Sequence, residues 1–143
     1  FFFFYSFFFP FYSYFLFSVS LIMPAQIFTP ESFPLLKDVS QFIYSNKYDS
    51  AQRIVIEFLD KPDLSVKERF YGHFLFADIV KSIGNVEKAI EFLHKSKNYL
   101  NKIENKKLYE SLVYGNIGEC WFTLQNYPKA TKNALLSMLS SPD

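Results

Sequence analysis

From Thr29 onward the apolar side chains recur at the three- and four-residue spacing of amphipathic helices, and strand signals are lacking. Thr29-Pro30-Glu31 is a helix start with a capping hydroxyl and an acid in the first turn. Ser65 and Glu68 have the spacing of a capping box. The pattern predicts an all-α fold with six antiparallel helices over residues 31–143, broken near 45–48, 61–64, 84–86, 102–106 and 125–127.

One six-residue pattern occurs three times and ends each time on alanine. Its copies are Asn46-Lys47-Tyr48-Asp49-Ser50-Ala51, Gly84-Asn85-Val86-Glu87-Lys88-Ala89 and Gln125-Asn126-Tyr127-Pro128-Lys129-Ala130. Successive alanines are separated by roughly 40 positions, a period typical of helical repeats. We interpret each copy as a polar turn between two helices, followed by an alanine that lets their backbones approach. Ala89 and Ala130 are therefore predicted to be buried.

The third unit has a large residue at Tyr114, an aliphatic-then-small pair at Ile117-Gly118 and an aromatic residue at Trp121. The second unit has Phe76-Ala77, Val80 and Ala89 at corresponding positions, with His73 in the place of the large residue. The first unit matches through Leu35, Phe42, Tyr48 and Ala51, whereas Asp38-Val39 departs from the aliphatic-then-small pair. In these features the chain resembles the tetratricopeptide repeat family. Its periods exceed that family's length of about 34 residues, which implies extra helical turns or longer connections between repeats.

The resemblance implies a right-handed superhelical solenoid over residues 29–143, with repeats near 31–63, 64–103 and 105–143. Since the third repeat has just finished at Asp143, further repeats are expected beyond it. The resemblance also implies a protein-interaction scaffold, which binds a peptide or a partner helix in a concave groove and is not an enzyme. An alternative is the sensory input region of a larger signal-transduction protein, such as a bacterial histidine kinase or transcription regulator. The residues expected to face the groove are Tyr44, Tyr71, Phe74, Asp78, Lys81, Asn116, Glu119 and Phe122.

The segment 1–25 is apolar, carries no charge and is rich in Phe, Tyr and Ser. A short apolar core before Pro24-Ala25-Gln26 favours a signal peptide cleaved after Ala25, and retention of the segment would make it a membrane anchor. The chain is then expected to be exported to the periplasm or tethered to a membrane. In the alternative, Met23 is the initiator, the preceding residues are a spurious extension and the protein is cytoplasmic.

Charge and candidate chemistry narrow the function classes. The 143 residues carry a formal net charge of +1, which argues against a nucleic-acid partner and leaves a protein or peptide as the expected partner. Cys120 is the only cysteine and has no zinc-ligand spacing around it, and His73 and His94 lie on separate predicted helices. Phosphate-binding, nucleophile-elbow and metalloprotease motifs are absent from the sequence. We therefore expect no catalytic residues, no cofactor and no metal.

Overall fold

The computed structural model describes residues 35–142, which form six α-helices and one 3₁₀-helix and include no strand. The helices are α1 (Leu35–Tyr44), α2 (Tyr48–Leu59), α3 (Val66–Ser82), α4 (Val86–Lys97), α5 (Lys106–Thr123) and α6 (Tyr127–Ser140), and the 3₁₀-helix spans Leu100–Lys102. The predicted all-α class is confirmed. The predicted start of the first helix near Pro30 and the segment 1–25 lie outside the described residues.

The helix boundaries follow the capping signals in the sequence. Before α3, the Ser65 hydroxyl accepts a hydrogen bond from the Glu68 backbone N–H, and the Glu68 carboxylate accepts one from the Ser65 N–H. This reciprocal arrangement satisfies two backbone donors that a helix start leaves without partners. The Asn85 and Asn126 side chains also cap α4 and α6, each by accepting one hydrogen bond from a backbone N–H of the first turn. The connection between α4 and α5 begins earlier than predicted, because α4 ends at Lys97 and a 3₁₀ turn follows.

One turn geometry joins α1 to α2, α3 to α4 and α5 to α6. In each turn one residue has a positive φ, namely Asn46 at 55°, Gly84 at 95° and Gln125 at 59°. The backbone N–H of the next residue donates to a carbonyl five residues earlier: Lys47 to Phe42, Asn85 to Val80 and Asn126 to Trp121. This is the Schellman arrangement that ends helices. Such short connections make each pair an antiparallel helix hairpin.

Glycine suits the left-handed position of this turn, so Gly84→Ala is expected to lower the free energy of unfolding by about 1–2 kcal/mol. A Cβ atom at Gly84 would meet nothing within 4 Å, and the loss would therefore come from backbone strain alone. The reciprocal change Gln125→Gly is expected to raise stability by about 0.5–1 kcal/mol. Urea denaturation of both variants measures the two effects. An unchanged midpoint in Gly84→Ala would contradict the assigned turn geometry.

Each helix packs mainly on the helices that precede and follow it in the chain. The buried side chains form one continuous core, in which Phe70, Ile79 and Ile117 are among the largest that are fully enclosed. Ala51, Ala89 and Ala130, which end the three turn motifs, are all buried, as predicted for the second and third. Val39 is also fully buried. It occupies in the first hairpin the position that Ala77 and Gly118 occupy in the second and third hairpins.

Candidate partner-binding surface

Asp78 on α3 and Glu119 on α5 hold corresponding positions in the second and third hairpins, at the same spacing as Ala89 and Ala130. Helical periodicity places Lys81 one turn after Asp78 on the same side of α3. The side chains of Asp78 and Glu119 are 49% and 42% exposed, whereas that of Lys81 is 23% exposed. Two carboxylates therefore remain open to solvent on either side of a more enclosed ammonium group.

Lys81 joins α3 to α5 through a network of polar contacts. Its Nζ lies 3.0 Å from Glu119 Oε2, 3.2 Å from Asn116 Oδ1 and 3.7 Å from Asp78 Oδ1. The Asn116 amide nitrogen in turn donates to the Leu112 carbonyl at 3.0 Å, which fixes the orientation of that side chain. Burial lowers the pKa of Lys81, but the carboxylates of Asp78 and Glu119 raise it, and the net direction is upward. Lys81 is therefore held in its charged form.

Four of the residues expected at the groove thus form one group, which we call the Lys81 cluster: Asp78, Lys81, Asn116 and Glu119. With one ammonium and two carboxylates, the cluster carries a net charge of −1. The ion pairs hold the carboxylates in place without removing them from solvent. Chemically, the cluster can accept hydrogen bonds from a basic or polar group on a partner.

Tyr71 and Phe74 lie in the core rather than at an exposed groove. Tyr71 is 2% exposed, and its hydroxyl is 3.1 Å from the hydroxyl of Tyr109 on α5. Phe74 is also buried and stacks against Phe70. Burial, together with the Tyr109 hydroxyl, raises the pKa of Tyr71 well above its ordinary value. The Tyr71–Tyr109 contact therefore joins α3 to α5 within the core.

Tyr44 and Phe122 differ in their exposure. Tyr44 is the last residue of α1 and is 89% exposed. Phe122 is half-buried, and its ring makes an edge contact with Tyr127 at the start of α6, with 5.6 Å between the ring centroids. The structure therefore joins the four polar candidates in one network, whereas Tyr44 is exposed at the end of α1 and Phe122 packs against the start of α6.

Tyr109 is a residue of this region that the sequence analysis missed. It contacts Tyr71 through its hydroxyl and Phe70 through the edge of its ring, with 5.2 Å between the Phe70 and Tyr109 centroids. Its position precedes the third repeat's recognisable motif, which begins at Tyr114. Tyr109 lies five positions before Tyr114, so the repeat motif does not indicate which side of this part of the helix is buried. Its position on the predicted helix was the signal that could have identified it.

His73 packs between aromatic rings at the α3–α4 hairpin, in agreement with its interpretation as a packing residue. Its ring is stacked on Tyr99 with 5.6 Å between centroids and an angle of 11° between planes. Its Nδ1 atom is buried and has no hydrogen-bond partner among the described residues. Burial lowers the pKa of His73 below its ordinary value of 6.5, and the nearby charges of Lys95 and Arg69 lower it further.

Acidification is expected to destabilise the fold through His73. Because its folded pKa is depressed, the unfolded chain binds a proton first as the pH falls through about 6.5, and stability declines from there until the folded pKa is passed. His73→Tyr, which installs the residue found at the corresponding Tyr114, is expected to reduce this loss. The loss is measured as the difference between the urea midpoints at about pH 7.5 and about pH 5.5, for the wild type and for His73→Tyr. An equal pH dependence in both proteins would contradict the role of His73. Some dependence should remain, because the pKa of His94 is also lowered by burial.

Cys120 is buried on α5, and burial raises the pKa of its thiol to about 11. A thiol in this state is a poor nucleophile at neutral pH. Within residues 35–142, no three His, Cys, Asp or Glu side chains are grouped so that they could hold a metal ion. In the same part of the chain no helix has both the length and the apolar character required to cross a bilayer.

Comparison of the chain with family models, with curated proteins and with solved structures gives no match.

Proposed function

We propose that this chain is a protein-interaction module of the tetratricopeptide type, which binds a peptide or a partner helix across the first helices of its hairpins. In this proposal α1, α3 and α5 line the concave side of a right-handed solenoid. The observation that carries the proposal is that three consecutive hairpins share three features: a turn residue in the left-handed conformation, the same backbone hydrogen bond after it, and a buried alanine.

The contacts between hairpins support a stacked arrangement. Packing mainly with sequence neighbours is the organisation of repeat proteins, in which each unit is completed by the next. The Lys81 cluster and the Tyr71–Tyr109 hydrogen bond both link α3 to α5, the first helices of consecutive hairpins. A partner that crosses these two helices would meet Asp78 and Glu119 together. The exposed carboxylates favour a segment with basic or hydrogen-bond-donating side chains, and the proposal excludes nucleic acid because the cluster is acidic.

Peptide selection on the purified chain tests the proposal. A peptide selected from a random library is expected to bind at least about tenfold more weakly when Asp78 and Glu119 are both replaced by Arg. In the matched control, Glu57 on α2 and Glu87 on α4, which are both exposed, are replaced by Arg. This variant is expected to bind the peptide with unchanged affinity. Equal weakening by both pairs would indicate nonspecific charge attraction. Failure to select any peptide that depends on the α3–α5 face would count against an interaction module.

We further propose that the protein works outside the cytoplasm, exported or held at a membrane by residues 1–25. N-terminal sequencing of protein made from the full native gene tests this location. A start at Gln26 is expected for export, and an intact apolar segment in the membrane fraction is expected for anchoring. A start at Met23 or Pro24 in soluble cytoplasmic protein would contradict the proposal.

A further inference from the structure

The connection between α4 and α5, residues 98–105, is joined to α3 by an aromatic contact at its start. The Tyr99 ring stacks on the imidazole of His73, and the Phe92 ring of α4 lies 6.0 Å from the same imidazole, measured between centroids. Tyr99 directly precedes the 3₁₀-helix, whose first residue, Leu100, is buried. His73 therefore helps to hold the connection that joins the second hairpin to the third.

The surroundings of His73 suit a neutral imidazole rather than an imidazolium. A neutral ring has one N–H, whereas an imidazolium has an N–H at both nitrogens. The Nδ1 atom is buried and has no hydrogen-bond partner among the described residues, so an N–H formed there would lack an acceptor, which is unfavourable. The charged groups that act on the ring are Arg69, one turn earlier on α3, and Lys95 on α4, and both are cations.

Two neighbouring groups that could stabilise an imidazolium are already engaged. Glu91 pairs with the Lys95 ammonium at 2.6 Å, and that ammonium lies over the Phe92 ring, 4.3 Å from its centre. A face of Phe92 is therefore already occupied by a cation. On the α2 side, the side chain closest to the adjoining Gly72 is the apolar Leu59. Protonation of the imidazole thus adds a positive charge to a partly buried site that already holds cations.

We propose that this contact is a pH-sensitive switch: protonation of His73 loosens its packing on Tyr99 and Phe92 and releases the α4–α5 connection from α3. Once the ring turns away from the two aromatic side chains, its new N–H can donate to water, and the repulsion from Arg69 and Lys95 falls. The lowered pKa of His73 has the same direction, because burial and these two cations disfavour the charged form. The switch is closed at neutral pH and opens as the pH falls below about 6.5, where the released ring takes up its proton.

The opening is confined to the connection, since the core beside it does not titrate. Ala89, Ile90 and Leu93 on α4 and Ile79 and Val80 on α3 are buried and apolar. A local opening requires less free energy than unfolding of the whole chain. Acidification therefore acts first on the segment that attaches the third hairpin to the second, before the helices themselves unfold. The switch does not depend on the proposed groove.

Amide hydrogen exchange of the full chain at about pH 7.5 and about pH 5.5 tests the switch. The reporters are the backbone amides of Tyr99, Lys102 and Ile103, which donate to carbonyls within or just before the connection. After correction for intrinsic exchange rates, their open state is expected to be about three- to tenfold more populated at the lower pH. The upper limit arises because that pH lies about one unit below the ordinary pKa of histidine. The Ala130 amide of α6 is the internal reference and is expected to change less than about twofold.

Two variants assign the response to one histidine. His73→Phe keeps an aromatic ring without a titratable nitrogen and is expected to remove the increase at the three reporters. His94→Gln is the matched control, because the pKa of His94 is also lowered by burial, and it is expected to keep the increase. His73→Tyr, which installs the residue of the corresponding Tyr114, repeats the test if His73→Phe does not fold. No increase in the wild type, an increase that persists without His73, or an equal increase at Ala130 would overturn the proposal.

Discussion

Replacing Phe70 by alanine is expected to lower the free energy of unfolding by about 3–5 kcal/mol, the range for deletion of a fully buried aromatic side chain. Phe70 is completely buried on α3 and contacts Tyr109 on α5 as well as Phe74 on its own helix. The substitution therefore opens a cavity where two hairpins meet. Since a domain has only about 5–15 kcal/mol of net stability, the loss should be visible as a large fall in the urea midpoint.

Tyr44→Ala is the control for this experiment, because it removes an aromatic side chain that is almost fully exposed. Its effect should stay within about 0.5 kcal/mol, as for most surface substitutions. If Phe70→Ala were tolerated as well as Tyr44→Ala, the second and third hairpins would not share the core described above.

The helices and their turns could be predicted because their signals are local. The Ser65 capping box and the Gly84-Asn85 turn each use backbone and side-chain groups within a few residues of one another. The repeat itself then locates the less obvious turns, where Asn46 and Gln125 adopt the conformation that glycine adopts at position 84. The connection after Lys97 was placed too late, because its 3₁₀ turn begins without a proline or glycine to mark it.

The candidate surface could be predicted only in part, because burial depends on which helix lies opposite. Helical spacing places Tyr71, Phe74, Asp78 and Lys81 on neighbouring faces of α3 but does not say where α5 covers them. Near the start of α5, Tyr109 contacts Tyr71 in the core. Further along α5, Asn116 and Glu119 contact the more exposed Lys81. The carboxylate of Asp78 on the same helix is half-exposed. The aromatic residues of the same helix went to the core because burial of their large apolar area is favourable.

Replacing Ala130 by leucine is expected to cost about 1–3 kcal/mol, because extra methylene groups in a well-packed contact force the surroundings to shift. Ala130 is buried where α5 and α6 approach closely. A Cβ atom at Gly118 would lie 3.3 Å from the Ala130 carbonyl oxygen and 3.4 Å from the Ala134 nitrogen, so little space separates the two backbones. Thr131→Leu adds similar apolar bulk one residue away at an exposed site and should cost little. Urea denaturation of the two variants compares them directly. If Ala130→Leu were no less stable than Thr131→Leu, the alanine that ends each turn motif would not be a packing requirement, and the correspondence among the three hairpins would lose its physical basis.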